Sequence, residues 1–135
     1  MNNKKLGNSF ENELCEILSR NGFWVHCLTQ NKAGQPADII AVKNGKAYLI
    51  DAKVCSGDKF SFDRVEENQD LAMELWSECG NTFGYFAIKI EGQIYMVTHY
   101  SIKAHRNLKS YMSAEEIFKD GKPLERWIKW VNKCK

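Results

Sequence analysis

Two aspartates interrupt apolar segments that otherwise have the composition of buried β-strands. Asp38 lies near the start of the run ADIIAV, Asp51 lies towards the end of the run AYLIDAKV, and Asn44-Gly45 stands between the runs. Because a type I′ turn needs positive φ at both central positions, Asn-Gly is the strongest short signal for a two-residue β-hairpin. The sequence therefore predicts that the two runs pair as the antiparallel strands of one hairpin.

The predicted hairpin brings the two aspartates together. Counting outwards from a two-residue turn places Asp38 opposite Asp51 in a non-hydrogen-bonded pair, with Cβ atoms about 4.5–5.5 Å apart. Because side chains alternate along a strand, Lys53 shares the face of Asp51. Two opposed like charges are destabilising unless a raised pKa or a cation compensates for them, and Mg²⁺ or Mn²⁺ suits such hard oxygen ligands. If the register slips, both aspartates face solvent instead.

Polar residues on two predicted helices could complete this site. On the helix predicted over Asn8–Arg20, Glu11 borders the apolar face and could reach over the sheet edge, while Glu13 borders the other side and is the alternative. Glu11 also fits a capping box with the residue that would begin this helix. Gln69 lies within the apolar stripe of a helix predicted from about Asp63 to Glu78, where its amide needs hydrogen-bond partners unless it reaches solvent at the stripe's edge.

The elements that must position these residues have the predicted order α-β-β-β-α-β-β-α-α. They are a helix over 8–20, strands over 23–28, 37–42 and 47–54, a helix over 63–78, strands over 83–90 and 93–98, and two C-terminal helices opened by a capping box at Ser113 and by Pro123. A central mixed β-sheet flanked by helices, an α/β (α+β mixed) fold, satisfies this order. Without a linker or repeat, residues 1–135 are expected to form a single domain.

Composition excludes several classes of protein. With 44% hydrophobic and 27% charged residues, the chain resembles an ordinary globular protein. It has no apolar run near the roughly 18 to 20 residues of a membrane span and no signal-peptide pattern, so a cytoplasmic protein without a membrane partner is expected. The net charge of +2 does not by itself indicate nucleic-acid binding. Without a glycine-rich phosphate loop, no small-molecule cofactor is expected.

Cysteine and histidine predict no further site. The five cysteines are scattered and include no C-x-x-C pair, which argues against a zinc site or a disulfide framework. Most of them are therefore expected to be buried, reduced thiols. The histidines stand apart from any plausible cysteine or serine partner, and His99 and His105 are expected at the surface or as helix caps.

Three motifs, in this order, resemble those of the PD-(D/E)XK nuclease superfamily. They are G-x-x-x-E at residues 7–11, D-I-I-A at residues 38–41 and D-x-K at residues 51–53. Within the superfamily, the chain is similar to the Holliday junction resolvases of the archaeal Hjc and bacterial RecU kinds. The resemblance covers about residues 7–98, so residues 99–135 are interpreted as a helical C-terminal extension.

The resemblance implies a restriction-endonuclease-like core and a role for each motif residue. Asp38, Asp51 and the backbone carbonyl of Ala52 would hold Mg²⁺, and Glu11 would bind a second ion or a water. Lys53 would orient the attacking water or stabilise the transition state, and Gln69 would position a water or a metal ligand. In the loop between the first two strands, Gln30 and Lys32 would contact the DNA backbone. The sequence departs from the family where Asp51 stands in place of the usual Glu and where Ala37 separates Pro36 from Asp38.

The activity implied by the resemblance is that of a Mg²⁺-dependent DNA endonuclease, with four-way junctions of DNA recombination and repair as the leading substrate. Resolvases of this superfamily act as symmetric dimers, so a homodimer is implied as well. A restriction- or repair-type nuclease is an alternative with the same chemistry. A non-catalytic nucleic-acid-binding domain is a second alternative, but the joint presence of Glu11, Asp38, Asp51 and Lys53 argues against it.

Overall fold

A six-stranded mixed sheet lies at the centre of the protein in the computed structural model, which describes residues 3–28 and 37–134, with side chains from residue 9 onward. The helices are α1 Asn3–Arg20, α2 Glu67–Glu78, α3 His99–Arg106, α4 Ala114–Asp120 and α5 Leu124–Lys133. The strands are β1 Trp24–Cys27, β2 Ile39–Lys43, β3 Lys46–Cys55, β4 Lys59–Ser61, β5 Tyr85–Ile90, β6 Gln93–Thr98, β7 Tyr111–Ser113 and β8 Lys122–Pro123.

The main sheet has the strand order β1-β2-β3-β5-β6-β8, and β4 pairs with β7 in a separate two-stranded sheet. Strands β3 and β5 are parallel because the crossover through α2 connects them, and the other pairs of the main sheet are antiparallel. The predicted mixed sheet flanked by helices is therefore present. None of the described helices is long and apolar enough to cross a lipid bilayer.

The predicted hairpin between β2 and β3 is confirmed. Asn44 and Gly45 have φ values of 54° and 76°, as a type I′ turn requires. The ladder runs from the pair of Lys43 and Lys46 to the pair of Ile39 and Ile50, which is the predicted register. Because β2 begins at Ile39, Asp38 lies one residue outside this ladder.

The two faces of β3 contribute to two different hydrophobic cores. Ile50 and Ala52 are buried against α1 and α5, with Val54 packed at the margin of the same core. Leu49 and Cys55 face the opposite core, which contains residues of α2, α3 and α4. Asp51 shares this second face, because alternate side chains of a strand point to opposite sides. The predicted sidedness of β3 is therefore correct.

The boundaries of several helices differ from the predictions. Helix α1 begins at Asn3 instead of residue 8, so the predicted capping box at Glu11 is absent. The preceding residues include good helix formers and no proline, and the helix continues through them. Helix α3 was not predicted because it follows β6 without a glycine or proline between them; Thr98 begins it by accepting a hydrogen bond from the backbone N–H of Ser101. The predicted capping box at Ser113 is present at the start of α4.

The cysteines do not behave as predicted. Cys15 on α1 and Cys27 on β1 are joined as a disulfide between the first helix and the edge strand. Of the free cysteines, Cys55 is buried, Cys79 is exposed and Cys134 is intermediate. The expectation of reduced thiols in the core is thus correct for Cys55 and wrong for the disulfide pair, because α1 crosses beside β1 and brings the two sulfur atoms together.

Candidate active site

Asp51 is the most enclosed charged group in the described part of the chain. It lies on the interior strand β3 and is only 2% exposed. Its Oδ1 accepts a hydrogen bond of 3.1 Å from Nε2 of Gln69. Lys53 forms an ion pair with Oδ2 at 3.1 Å, yet Oδ2 accepts no hydrogen bond of proper geometry from any described residue. One carboxylate oxygen is therefore held by the protein, and the other keeps its capacity to bind a ligand.

Asp38 lies beside Asp51 where β2 leaves the ladder. The backbone N–H of Ala52 donates to Oδ2 of Asp38 over 2.9 Å, and the N–H of Asp38 donates to the carbonyl of Ile50 over 3.1 Å. The side chain of Asp38 thus takes the place that a strand carbonyl would have opposite Ala52. The predicted proximity of the two aspartates is present, but they are not a regular strand pair because Asp38 is outside the strand.

Glu11 reaches this pair from α1, and Glu13 does not. Burial raises the pKa of Glu11 to about 7, and the charge of Asp38 and a hydrogen bond with it act in the same direction, whereas Lys53 opposes them. Glu13 instead forms an ion pair of 2.8 Å with Lys89 on β5. Of the two glutamates left open by the sequence, Glu11 is the one beside the aspartates.

The site carries more negative than positive charge. Burial raises the pKa of Asp51 well above its usual value, the charge of Asp38 raises it further, and Lys53 offsets only part of this effect. Among the residues that the structure describes, Glu11, Asp38 and Asp51 thus share one neighbouring lysine, Lys53. A cation bound at the site would reduce the repulsion between the carboxylates and stabilise their ionised forms.

The residues present fit a hard divalent cation that is held jointly with another ligand. Among residues 3–28 and 37–134, no group of three or more histidine, cysteine, aspartate or glutamate side chains is arranged so that it could hold a metal ion. Mg²⁺ is usually bound by one or two carboxylates together with waters and substrate phosphates, so such a cluster is not required. The buried Oδ2 of Asp51, which faces Lys53 and accepts no hydrogen bond from the described residues, and the adjacent carboxylate of Asp38 are donors of this kind.

Gln69 is buried in the first turn of α2, and both ends of its amide are bonded. Its Oε1 accepts the backbone N–H of Glu66 over 3.1 Å in a capping box, so its Nε2 is the end that points to Asp51. The prediction that this amide requires hydrogen-bond partners is confirmed. The cap of α2 and the orientation of Asp51 therefore depend on the same side chain.

Three residues next to the site were not predicted to act together. Asp70 on α2 accepts hydrogen bonds from the guanidinium of Arg106, and its Oδ1 lies 2.8 Å from Nε2 of His99. Burial tends to raise the pKa of Asp70, but Arg106 and His99 outweigh this effect and the pKa is lowered. His99 is buried and follows Thr98, which caps α3, so the prediction of a surface position or a helix cap is wrong for this histidine. No local pattern signals this contact because its members are about 30 positions apart.

The two predicted DNA-contacting residues, Gln30 and Lys32, lie outside the described residues, between 28 and 37. The described site therefore consists of carboxylates, a lysine and an amide, contributed by α1, β3, α2 and the residue before β2. It has the functional groups for binding a cation and for placing positive charge beside a phosphate.

The chain is similar to known proteins in sequence and in fold. A sequence model of the family described as archaeal Holliday junction resolvase (Hjc) matches residues 2–135. The crossover junction endodeoxyribonuclease Hjc of Methanocaldococcus jannaschii is 27% identical over 111 residues, which are 82% of this chain and 77% of that relative. The structure of Hjc from Archaeoglobus fulgidus, a Holliday junction resolvase, matches with a TM-score of 0.69 and 16% identity, covering 90% of this chain and 99% of that one. This second likeness is one of fold.

Proposed function

The chain belongs to the archaeal Holliday junction resolvase (Hjc) family, and we propose on this premise that it is a metal-dependent endonuclease that hydrolyses phosphodiester bonds in four-way DNA junctions. The observation that carries the proposal is the state of Asp51. This carboxylate is buried, is bonded by Gln69 through one oxygen and leaves the other oxygen without a hydrogen bond beside Lys53.

We propose that Asp38, Asp51 and the backbone carbonyl of Ala52 hold Mg²⁺ or Mn²⁺. When bound, such an ion lowers the pKa of the attacking water and neutralises charge on the scissile phosphate. The backbone N–H of Ala52 holds the carboxylate of Asp38 in place, so both the N–H and the carbonyl of Ala52 would contribute to the site. Asp51 has one methylene group fewer than the glutamate usual in related nucleases, and its central position in the sheet provides the rigidity that a short ligand needs.

The remaining side chains would bind and orient the reacting groups. Lys53 places a compact positive charge beside Asp51, where it can stabilise charge that develops on a phosphate. Glu11 would hold a water or a second ion next to Asp38, where burial and the charge of Asp38 raise its pKa to about 7 in the metal-free protein. Gln69 keeps the Asp51 carboxylate in one orientation.

The test is cleavage of labelled four-way junction, duplex and single-stranded DNA in Mg²⁺ or in EDTA. The wild type is compared with Asp51→Asn, which removes the charge of the buried carboxylate, and with Asp63→Asn, which makes the same change at an exposed position. We expect Mg²⁺-dependent nicks in the junction that are lost only in Asp51→Asn.

Other outcomes would redirect the assignment. Equal cutting of all three DNAs would keep the site and indicate a restriction- or repair-type nuclease. Junction binding without any cutting in Mg²⁺ would indicate a non-catalytic DNA-binding domain.

The proposal includes a homodimer, because two strands of a junction have to be cut at related positions. It also includes Gln30 and Lys32 as contacts to the DNA backbone, and the cytoplasm as the place where the protein meets cellular DNA. Sedimentation equilibrium of the protein alone would test the dimer. Double replacement of Gln30 and Lys32 by alanine would test the contacts through junction affinity in Ca²⁺.

A further inference from the structure

The carboxylate of Asp70 joins α2 to α3 through three polar contacts. The guanidinium of Arg106 donates to both carboxylate oxygens, with Nη1 2.9 Å from Oδ2 and Nη2 3.2 Å from Oδ1. Nε2 of His99 lies 2.8 Å from Oδ1. A two-pronged contact between a guanidinium and a carboxylate restricts both the distance and the rotation of the two groups.

This contact is more enclosed than the ion pair of Lys103 with Glu74, which also links the two helices. The side chains of Asp70, His99 and Arg106 are 22%, 6% and 34% exposed, whereas those of Lys103 and Glu74 are 42% and 43% exposed. Exposed ion pairs are weakened by solvent and contribute little to rigidity. Of these two contacts, the one made by Asp70 therefore contributes more to holding α2 against α3.

His99 is itself bonded to Gly84, the residue that precedes β5, and β5 is the strand that pairs with β3 beside Asp51. The backbone N–H of His99 donates to the carbonyl of Gly84 over 2.7 Å, and its ring lies 6.2 Å from the ring of Phe86. Phe86 on β5 is the register partner of Asp51 on β3. The contact of His99 with Asp70 thus fixes α2 relative to the part of the sheet that carries Asp51.

Asp70 immediately follows Gln69 in the first turn of α2. A shift or rotation of this turn moves both residues together, because neighbouring residues of a helix share one rigid backbone. The hydrogen bond from Gln69 to Asp51 measures 3.1 Å, near the long end of the normal range, so it tolerates little further displacement.

We propose that Arg106 and His99 are positioning residues: through Asp70 they hold the first turn of α2 so that Gln69 orients the Asp51 carboxylate. This inference rests on the proposed function, since it assigns Asp51 to the reacting centre. Neither Arg106 nor His99 contacts the Asp51 carboxylate; their effect passes through Asp70 and Gln69.

A double-mutant cycle tests the inference. Single-turnover cleavage of a four-way junction in Mg²⁺ is measured for Arg106→Gln, Gln69→Ala and the double variant, together with junction affinity in Ca²⁺. Replacing a residue that hydrogen-bonds a metal ligand costs about 10- to 100-fold in activity, and we expect this loss for Gln69→Ala. For Arg106→Gln, which acts through Asp70 and Gln69, we expect a measurable loss that does not exceed that of Gln69→Ala, with unchanged junction affinity. The double variant should cleave no more slowly than Gln69→Ala, because residues that act through one another are not additive. If Arg106 acted independently of Gln69, the losses of cleavage rate in the two single variants would multiply in the double variant. That result would overturn the inference.

Glu74→Gln is the matched control, because it breaks the exposed link between the same two helices and should leave the cleavage rate unchanged. If it slows cleavage as much as Arg106→Gln does, the effect comes from general loosening of α2 and the inference is wrong. Arg106→Lys, which keeps the charge but loses the fork, serves as a milder variant if Arg106→Gln does not fold.

A readout without DNA separates this inference from the proposed function. The side-chain amide signal of Gln69 in ¹⁵N NMR spectra should lose its protection from hydrogen exchange in Arg106→Gln and keep it in Glu74→Gln. Retained protection in Arg106→Gln would contradict the positioning role. If instead Asp51→Asn still cuts junctions, the proposed site is wrong whatever the Gln69 signal shows.

Discussion

Gln69 and Asp51 are 18 positions apart in the chain, and their side chains meet in a hydrogen bond of 3.1 Å. This bond gives the two oxygens of one buried carboxylate different tasks. Oδ1 is held by the amide, and Oδ2 accepts no hydrogen bond from the described residues. The orientation of Asp51 is therefore set before any ligand arrives, which lowers the cost of arranging it when a ligand binds.

Replacing Gln69 by alanine should destabilise the metal-free protein. The change leaves Oδ1 of Asp51 and the backbone N–H of Glu66 without their partners, and an unsatisfied buried polar group costs about 1–3 kcal/mol. Equilibrium unfolding in urea would measure the difference. Glu67→Gln is an exposed control in the same turn and should change the free energy of unfolding by less than about 0.5 kcal/mol. Equal stability of the two variants would show that the Gln69 bonds contribute nothing.

The stability of the metal-free protein should fall as the pH rises towards neutrality. The pKa of Glu11 is about 7 in the folded protein and 4.5 as its ordinary value, so between these values the folded state keeps a proton that the unfolded chain has released. The contribution of Glu11 to stability is then fully present below about pH 4.5 and is lost as the pH rises through about 7. Asp51, whose pKa is also raised, acts in the same direction.

Thermal unfolding in EDTA across this pH range would measure the effect, and Glu11→Gln should reduce the slope. Mg²⁺ should raise the Tm more above pH 7 than below it, because the ion binds the ionised carboxylates and a proton competes with it. A Tm in EDTA that rises steadily with pH would contradict the proposed origin of the shift.

Lys53→Gln should separate cleavage from metal binding. Removing a positive charge from the reacting centre is expected to slow cleavage by about 100-fold or more. Mg²⁺ affinity should stay equal or increase, because the ammonium group and the cation compete for Oδ2 of Asp51. Calorimetric titration with Mg²⁺ and single-turnover cleavage would measure the two effects, with Lys46→Gln as an exposed control on the same strand. A loss of Mg²⁺ affinity in Lys53→Gln would mean that the lysine organises the ligands instead.

The core that supports α1 depends on Trp127 of α5. Its ring is 1% exposed and lies within 5.1 to 5.7 Å of the rings of Phe23, Tyr48 and Tyr85. Trp127→Ala should cost about 3–5 kcal/mol of unfolding free energy. Trp130→Ala on the same helix removes a ring that is 39% exposed and contacts Lys122, and it should cost less than about 1 kcal/mol. Urea unfolding of the two variants decides between this arrangement and one in which both rings contribute alike.

Local sequence patterns are sufficient to predict the hairpin and the faces on which its side chains lie. Three features follow from residues that are close in the chain. They are the positive φ values of Asn44 and Gly45, the register of β2 with β3, and the position of Asp51 and Lys53 on the face of β3 that Ile50 and Ala52 do not occupy. Turn chemistry and strand alternation are local effects, so a local pattern is sufficient to predict them. The start of α1 also depends on local sequence, but two local signals disagreed. A capping pattern at residue 8 favoured a helix that begins there, whereas the preceding residues favour a longer helix, and α1 begins at Asn3.

The polar contacts between different elements could not be predicted in this way, because they depend on how the elements pack together. In the folded protein, Glu11 lies beside Asp38, whereas Glu13 pairs with Lys89. Gln69 bonds Asp51, and Asp70 contacts both His99 and Arg106. Helical periodicity specifies which face of a helix is buried, but not where along a sheet that face comes to rest. That position depends on the packing of both hydrophobic cores at once, and a displacement of a few ångströms would bring different side chains into hydrogen-bonding distance.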